Sequence, residues 1–123
     1  DGALRLSDEQ EEASALTQSL AILTGVFTPD EARAMAHRLT RQDNGLVPVS
    51  LSMRIFLYEA LLCVDERYCD FVLADLDRTY GAMLSQGATT FWETLAGERD
   101  FGNAGSLCHG WSAMAVYYYQ KLL

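Results

Sequence analysis

Apolar side chains recur along this chain every third or fourth residue, and no run alternates apolar with polar between hairpin turns. That period sets one face of an α-helix against a core, so the predicted fold class is all-α. The first helix is expected from about Ser7 to Thr24. Ser7 can cap it, Asp8, Glu9, Glu11 and Glu12 suit the positive end of the helix dipole, and Ala13, Leu16, Leu20 and Leu23 form its apolar stripe. Gly25 is a suitable terminator. The second helix opens at Thr28-Pro29-Asp30-Glu31, with Thr as N-cap, Pro at the first helical position and Glu positioned to complete a capping box. Its buried face is Ala32, Met35, Ala36 and Leu39, and His37 lies off that face.

Asp43-Asn44-Gly45 and Pro48 mark a loop from Gln42 to Pro48. A third helix follows from about Ser50 to Val64, with Met53, Phe56, Leu57, Ala60, Leu61 and Val64 on one face and Leu51, Ile55 and Leu62 off it. A helix apolar on more than one side is packed by more than one layer. A fourth, capped by Asp65, runs to about Leu84 and ends at Gln86-Gly87. The last helix begins between Ser106 and Ser112. It carries Trp111, Met114, Val116, Tyr117, Tyr118 and Tyr119 with no polar face before Gln120, which predicts burial on most sides.

The stretch from Gly87 to Ser112 departs from this regularity. Between the fourth and last helices lies a connection rich in Gly, Thr and aromatics, Gly87-Ala88-Thr89-Thr90-Phe91-Trp92-Glu93 and then Gly97 through Gly110. A connection this long in a helical domain is usually functional or disordered, and Phe91, Trp92, Phe101 and Trp111 argue against disorder. Thr90-Phe91-Trp92-Glu93 also fits a capping box, so Glu93 can serve simply to start a short helix. Alternatively it is a carboxylate beside a Trp, whose flat apolar face suits a sugar ring. Carboxyls in apolar surroundings exchange protons near neutral pH, and sugar cleavage uses two of them. His109 is either a hydrogen-bonded core residue or a polar contact to a sugar hydroxyl flanked by Trp111.

Composition narrows the partners. The 123 residues suffice for a single domain spanning 1–123. Nine basic against seventeen acidic residues give a net charge of −8, which repels phosphate backbones and anionic membranes, and no basic run offsets it locally. Nucleic-acid and membrane partners are therefore not expected, whereas a neutral carbohydrate meets no such penalty. No apolar run reaches the ~18 residues of a membrane span. Cys63, Cys69 and Cys108 are too few and too irregular for a disulfide framework, and their apolar neighbours predict buried free thiols. His37 and His109 do not fall at ligand spacing with any Cys pair, so neither a metal nor a cofactor is expected. Compartment stays open.

Gly87-Ala88-Thr89-Thr90-Phe91-Trp92-Glu93, followed by Ala104-Gly105-Ser106-Leu107-Cys108-His109-Gly110-Trp111-Ser112-Ala113, resembles the C-terminal signature of the α-L-rhamnosidases of glycoside hydrolase family 78. That family pairs a Gly-x-Thr-Thr-x-Trp-Glu segment with a Ser-Leu-x-His-Gly-Trp-Ser-Ala segment, and the order of the preceding helices is similar too. Where relatives often have Pro after the second segment, this chain has Met114-Ala115. The resemblance implies the (α/α)6 barrel of the six-hairpin glycosidases and an inverting hydrolysis. It makes Glu93 the general base, and Trp92, His109 and Trp111 residues of the sugar subsite. Twelve helices with their connections need at least about 200 residues. The chain therefore matches the C-terminal portion of such a barrel, without the segment carrying the general acid, and is expected to be inactive alone. Asp65, Asp70, Asp75 and Asp77 match no catalytic motif. Two other readings use the same residues: a non-catalytic module that binds carbohydrate or self-associates, covering its apolar faces, and a helical bundle in which Glu93 and His109 are structural.

Overall fold

A computed structural model describes residues 2–7 and 11–123. Among the described residues the protein is all-helical, with six α-helices, four single 3-10 turns and no strand. The chain divides into two compact units, residues 1–49 with 54–68, and residues 50–53 with 69–123.

In the first unit α1 (Ala15–Leu23) packs on α3 (Arg54–Val64), and α2 (Pro29–Leu39) packs against both. Helix α1 starts later than its periodicity predicts, because Ser14 rather than Ser7 supplies the cap: its hydroxyl accepts the Thr17 amide at 3.0 Å. Glu11, Glu12 and Ala13 are non-helical, and the expected roles of Asp8 and Glu9 lie outside the described residues. The buried face is Ala15, Gln18, Ser19, Ala21 and Ile22, while Leu20 and Leu23 of the expected stripe stay partly exposed.

Gln18 is the reason the face shifts. Its side chain is fully buried and mimics a strand partner for Leu4. The Leu4 amide donates to Gln18 Oε1 at 2.8 Å, and Gln18 Nε2 donates to the Leu4 carbonyl at 2.7 Å and to the Ser14 carbonyl at 3.1 Å. A buried amide satisfied on both its oxygen and its nitrogen can sit where hydrophobicity alone would place Leu. A single parallel bridge joins the helix entry to the following loop: Ala15 donates to the Val47 carbonyl and Val47 donates to the Ala13 carbonyl, both at 2.9 Å.

Helix α1 ends in a Schellman motif, with Val26 donating to the Ala21 carbonyl and Gly25 to the Ile22 carbonyl. The capping box of α2 forms as its sequence predicts: the Thr28 amide donates to Glu31 Oε2 at 2.9 Å, and the Glu31 amide to Thr28 Oγ1 at 3.4 Å. These bonds from Thr28 hold the Glu31 carboxyl below its usual range. Met35, Ala36 and Leu39 are buried and His37 is exposed. After α3, a 3-10 turn (Glu66–Tyr68) is set by Asp65, whose carboxylate accepts the Arg67 amide at 2.9 Å and its guanidinium through both oxygens. The Arg67 hydrogen bonds bring the Asp65 carboxyl down to about 2.

In the second unit α4 (Cys69–Ser85) packs on α6 (Met114–Leu122), and the 3-10 turn Leu51–Met53 meets a 3-10 turn at Gly110–Ser112. The expected third helix is thus split, its start a separate 3-10 turn. Val72, Leu76, Thr79, Tyr80 and Met83 are the buried face of α4. Gly87 ends it in a second Schellman motif, with Ala88 donating to the Met83 carbonyl and Gly87 to the Leu84 carbonyl. Helix α6 corrects its prediction: Met114, Ala115 and Tyr118 are buried, but Val116 is 61% and Tyr117 50% exposed. Within its unit one helix covers it, and one neighbour can bury only one stripe. The cysteines are also corrected: Cys63 and Cys108 are exposed and Cys69 half-buried, all as free thiols. Cys63 shares a stripe with Phe56 and Glu59, away from the Leu57–Leu61 face, and Cys108 lies in a loop.

Two outcomes follow. Gln18→Ala removes three hydrogen bonds and leaves a void, and is expected to cost about 2 kcal/mol in urea denaturation while amide exchange at Leu4 becomes fast. In the second unit Tyr119 donates its hydroxyl proton to Asp77, which raises the Tyr119 pKa from 10.0 to about 12. A raised folded-state value stabilises below the unfolded one, so this contribution is complete below pH 10 and disappears as pH rises through 12. Alkaline denaturation of the wild type and Tyr119→Phe should therefore differ at pH 9 to 10, by roughly one ordinary hydrogen bond, and converge toward pH 12.

Candidate functional site

The two segments singled out in the sequence, 87–93 and 104–113, lie side by side in the second unit and are hydrogen-bonded to each other. The His109 amide donates to the Phe91 carbonyl at 2.7 Å, the Glu93 amide to the Ser106 carbonyl at 2.9 Å, and the Thr90 hydroxyl to the Leu107 carbonyl. No regular strand results, because the spacing of these bonds differs on the two segments. Tyr80 of α4 anchors both. Its ring meets Phe91 edge-on with centroids 5.8 Å apart, and its hydroxyl donates to the Ser112 carbonyl.

Glu93 is half-buried, and its carboxylate does not cap a helix. Oε2 accepts the Ser106 amide at 3.3 Å, while Thr90, the other half of the expected capping box, turns its hydroxyl to Leu107. The peptide after Glu93 is a bend rather than a helix start. The carboxylate is therefore oriented across the pair of segments, by the second on the first.

The aromatic candidates divide. Trp92 is buried, 9% exposed, with its ring against Gly97: a Cβ at that glycine would meet Trp92 Cε3 at 2.9 Å. Trp111 is 72% exposed and stands edge-on to the half-buried His109, with ring centroids 6.2 Å apart. The open aromatic face thus belongs to Trp111, and Trp92 offers only a margin of its ring. Beside that margin opens a cleft of about 510 Å³, with Gln86, Glu98, Arg99 and Leu107 among its walls. A second cleft, of about 490 Å³ in the first unit, is lined by Arg5, Glu11, Glu12 and Arg38 and holds none of the candidate residues.

The connection between the two segments makes this pairing possible and strains the backbone. After a 3-10 turn at Gly97–Arg99, the short α5 (Asp100–Asn103) is a single turn in which Phe101, Gly102 and Asn103 all have positive φ, of 50°, 70° and 69°. For a residue with a Cβ this region costs roughly 1–2 kcal/mol. Asp100 secures the turn. Its carbonyl accepts the Ala104 and Gly105 amides at 2.9 and 3.1 Å, and its carboxylate accepts the Phe101 amide at 2.9 Å. The Asp100 carboxyl is held below its ordinary value first by the Thr94 hydroxyl and then by the Phe101 amide. Thr94 Oγ1 makes no contact of regular hydrogen-bond geometry, so the Phe101 bond is the firmer of the two. Gly105 then passes so close to Gly97 that a Cβ there would overlap the Gly97 carbonyl oxygen. Sequence reasoning gave no individual role to Gly97, Gly105, Ser106 or Arg99, although Gly105 and Ser106 stand in the second signature segment. Their roles depend on a chain reversal that leaves no periodic signal.

Of the aspartates that match no catalytic motif, Asp65, Asp70 and Asp75 are engaged by chain neighbours, Arg67, the Cys69 thiol and Arg78, and Asp77 by Tyr119 of α6. Among the described residues no group of His, Cys, Asp and Glu side chains is arranged to hold a metal ion, and no helix is long and apolar enough to cross a membrane. No protein-family model matches the chain, and no curated protein or solved structure matches it.

Tyr80→Phe keeps the ring contact with Phe91 and removes the bond to Ser112. It is expected to lower stability by about 1–2 kcal/mol, whereas Tyr80→Ala, which loses both, costs about 3–5 kcal/mol. Thermal denaturation with Trp fluorescence as the probe measures both values.

Proposed function

We propose that this chain is the C-terminal portion of a glycoside hydrolase catalytic domain resembling the inverting α-L-rhamnosidases, contributing one half of an active site built on an (α/α)6 barrel. Glu93 serves as the general base, His109 contacts a sugar hydroxyl, and Trp111 with the margin of Trp92 provides apolar surface for the ring. The observation that carries this is the pairing of the two signature segments, which puts Glu93 and His109 on adjoining, hydrogen-bonded segments instead of leaving them in unrelated turns.

The chemistry is consistent with the arrangement. Inversion requires a carboxylate to deprotonate a water on the face opposite the leaving group, with a second carboxyl protonating the departing oxygen. A base must be aimed, and the Ser106 amide fixes one oxygen of Glu93. The substrate is a carbohydrate with a terminal α-L-rhamnoside or a related sugar, and the general acid belongs to a segment that precedes these helices in the family. A second reading, a non-catalytic module that binds sugar or self-associates, is favoured by the exposure of Trp111, Val116 and Tyr117.

The isolated chain is expected to show no turnover of an aryl α-L-rhamnoside above background, while rhamnose quenches its Trp fluorescence. Glu93→Gln should leave that quenching intact, because the Gln carbonyl can still accept the Ser106 amide. Robust turnover by the isolated chain, unchanged in Glu93→Gln, defeats the proposal. Absence of any sugar-dependent quenching defeats the assignment of the subsite.

A further inference from the structure

We propose, resting on the carbohydrate reading above, that the cleft beside Trp92 accepts a sugar bearing a carboxylate, a hexuronate, and that Arg99 is its specificity-determining residue. The side chain of Arg99 has partners of a different kind from those of Arg33, Arg67 and Arg78. Arg33, Arg67 and Arg78 each pair with an aspartate, Asp30, Asp65 and Asp75 respectively. Arg99 instead donates to two neutral oxygens, through Nη2 to Gln86 Oε1 at 3.1 Å and through Nε to the Ala96 carbonyl at 3.4 Å. Among the described residues no carboxylate lies within ion-pair distance of it. In a chain of net charge −8, a guanidinium that is oriented by neutral partners keeps its charge and its remaining N–H groups for something else.

What it faces is a cleft of suitable chemistry. Its lining combines the apolar surface of Trp92, Gly97 and Leu107 with the polar Gln86, Glu98 and Arg99. An aromatic surface with a few convergent polar groups suits a sugar ring, and a planar guanidinium matches a carboxylate through two parallel hydrogen bonds. Gly97 is required for this shape. Its φ of +59° turns the chain, and its lack of a Cβ lets the Trp92 ring lie against the backbone. Glu98 shares the rim and works against an anionic ligand, so the net preference depends on Arg99 outweighing it.

The test follows the two indole N–H signals of the full chain by NMR, with that of Trp92 identified by its proximity to Gly97. It compares galacturonate, galactose and inorganic phosphate. Galacturonate should shift the Trp92 signal at lower concentration than galactose. Arg99→Gln should weaken galacturonate binding tenfold or more while leaving galactose binding and the melting temperature unchanged. Arg99→Lys should retain part of the preference, and Glu98→Gln should strengthen galacturonate binding. Equal affinity for the two sugars, or no change in Arg99→Gln, overturns the role of Arg99 while leaving the carbohydrate reading standing. A Trp92 response to phosphate as strong as to galacturonate overturns the sugar-acid assignment in favour of a general anion site. No response to either sugar removes the carbohydrate reading of this surface and the proposal with it.

Discussion

The organisation of the second unit depends on Tyr80. One buried side chain on α4 meets the first loop segment through its ring, at Phe91, and the second through its hydroxyl, at Ser112. An aromatic ring contributes a large packing surface, and a phenolic hydroxyl needs a partner when buried, so tyrosine can tie two segments to one helix at a single point. The cross-segment bonds from Thr90, Glu93 and His109 then form between chains already held at one end. Without that anchor, the long connection would have to be ordered by its own contacts, against a conformational entropy of about 1–2 kcal/mol per residue.

The geometry this creates separates order from access. Trp92 is packed against a glycine and is mostly withdrawn, whereas Trp111 is open to solvent beside His109. Left-handed backbone at Phe101 and Asn103 closes the connection in little space, and the carbonyl and carboxylate of Asp100 hold it there. Strain of this kind persists only where surrounding contacts over-determine the conformation, and it occurs often at ligand-binding loops. Here it lies between the two segments that carry the proposed base and sugar contacts. The carboxylate of Glu93 gains direction from the same closure, because the amide that orients it belongs to the returning segment.

Much of the fold was legible in the chain. The all-helical class, the capping box at Thr28, the glycine terminations at Gly25 and Gly87 and the buried face of α2 rest on local rules, in which the deciding partners lie within a few residues. The sequence also marked Gly87 to Ser112 as the exceptional stretch and named Trp92, Glu93, His109 and Trp111 within it. Where local patterns failed, a distant partner intervened. Gln18 is buried because Leu4, fourteen residues away, satisfies its amide. Thr90 and Glu93 abandon a capping box that their spacing allows, because Leu107 and Ser106 offer better-placed groups.

By itself, then, the sequence determined helices, their ends and the residue types available for chemistry, since propensity, capping and periodicity act over one or two turns. Only the tertiary structure decided which of those residues meet and which reach solvent. It exposed Cys63, Cys108 and one side of α6, buried Trp92, opened Trp111 and left Arg99 with neutral partners at the edge of a cleft. Exposure and pairing depend on what the rest of the chain brings to a residue, and no local pattern encodes contacts between groups that far apart.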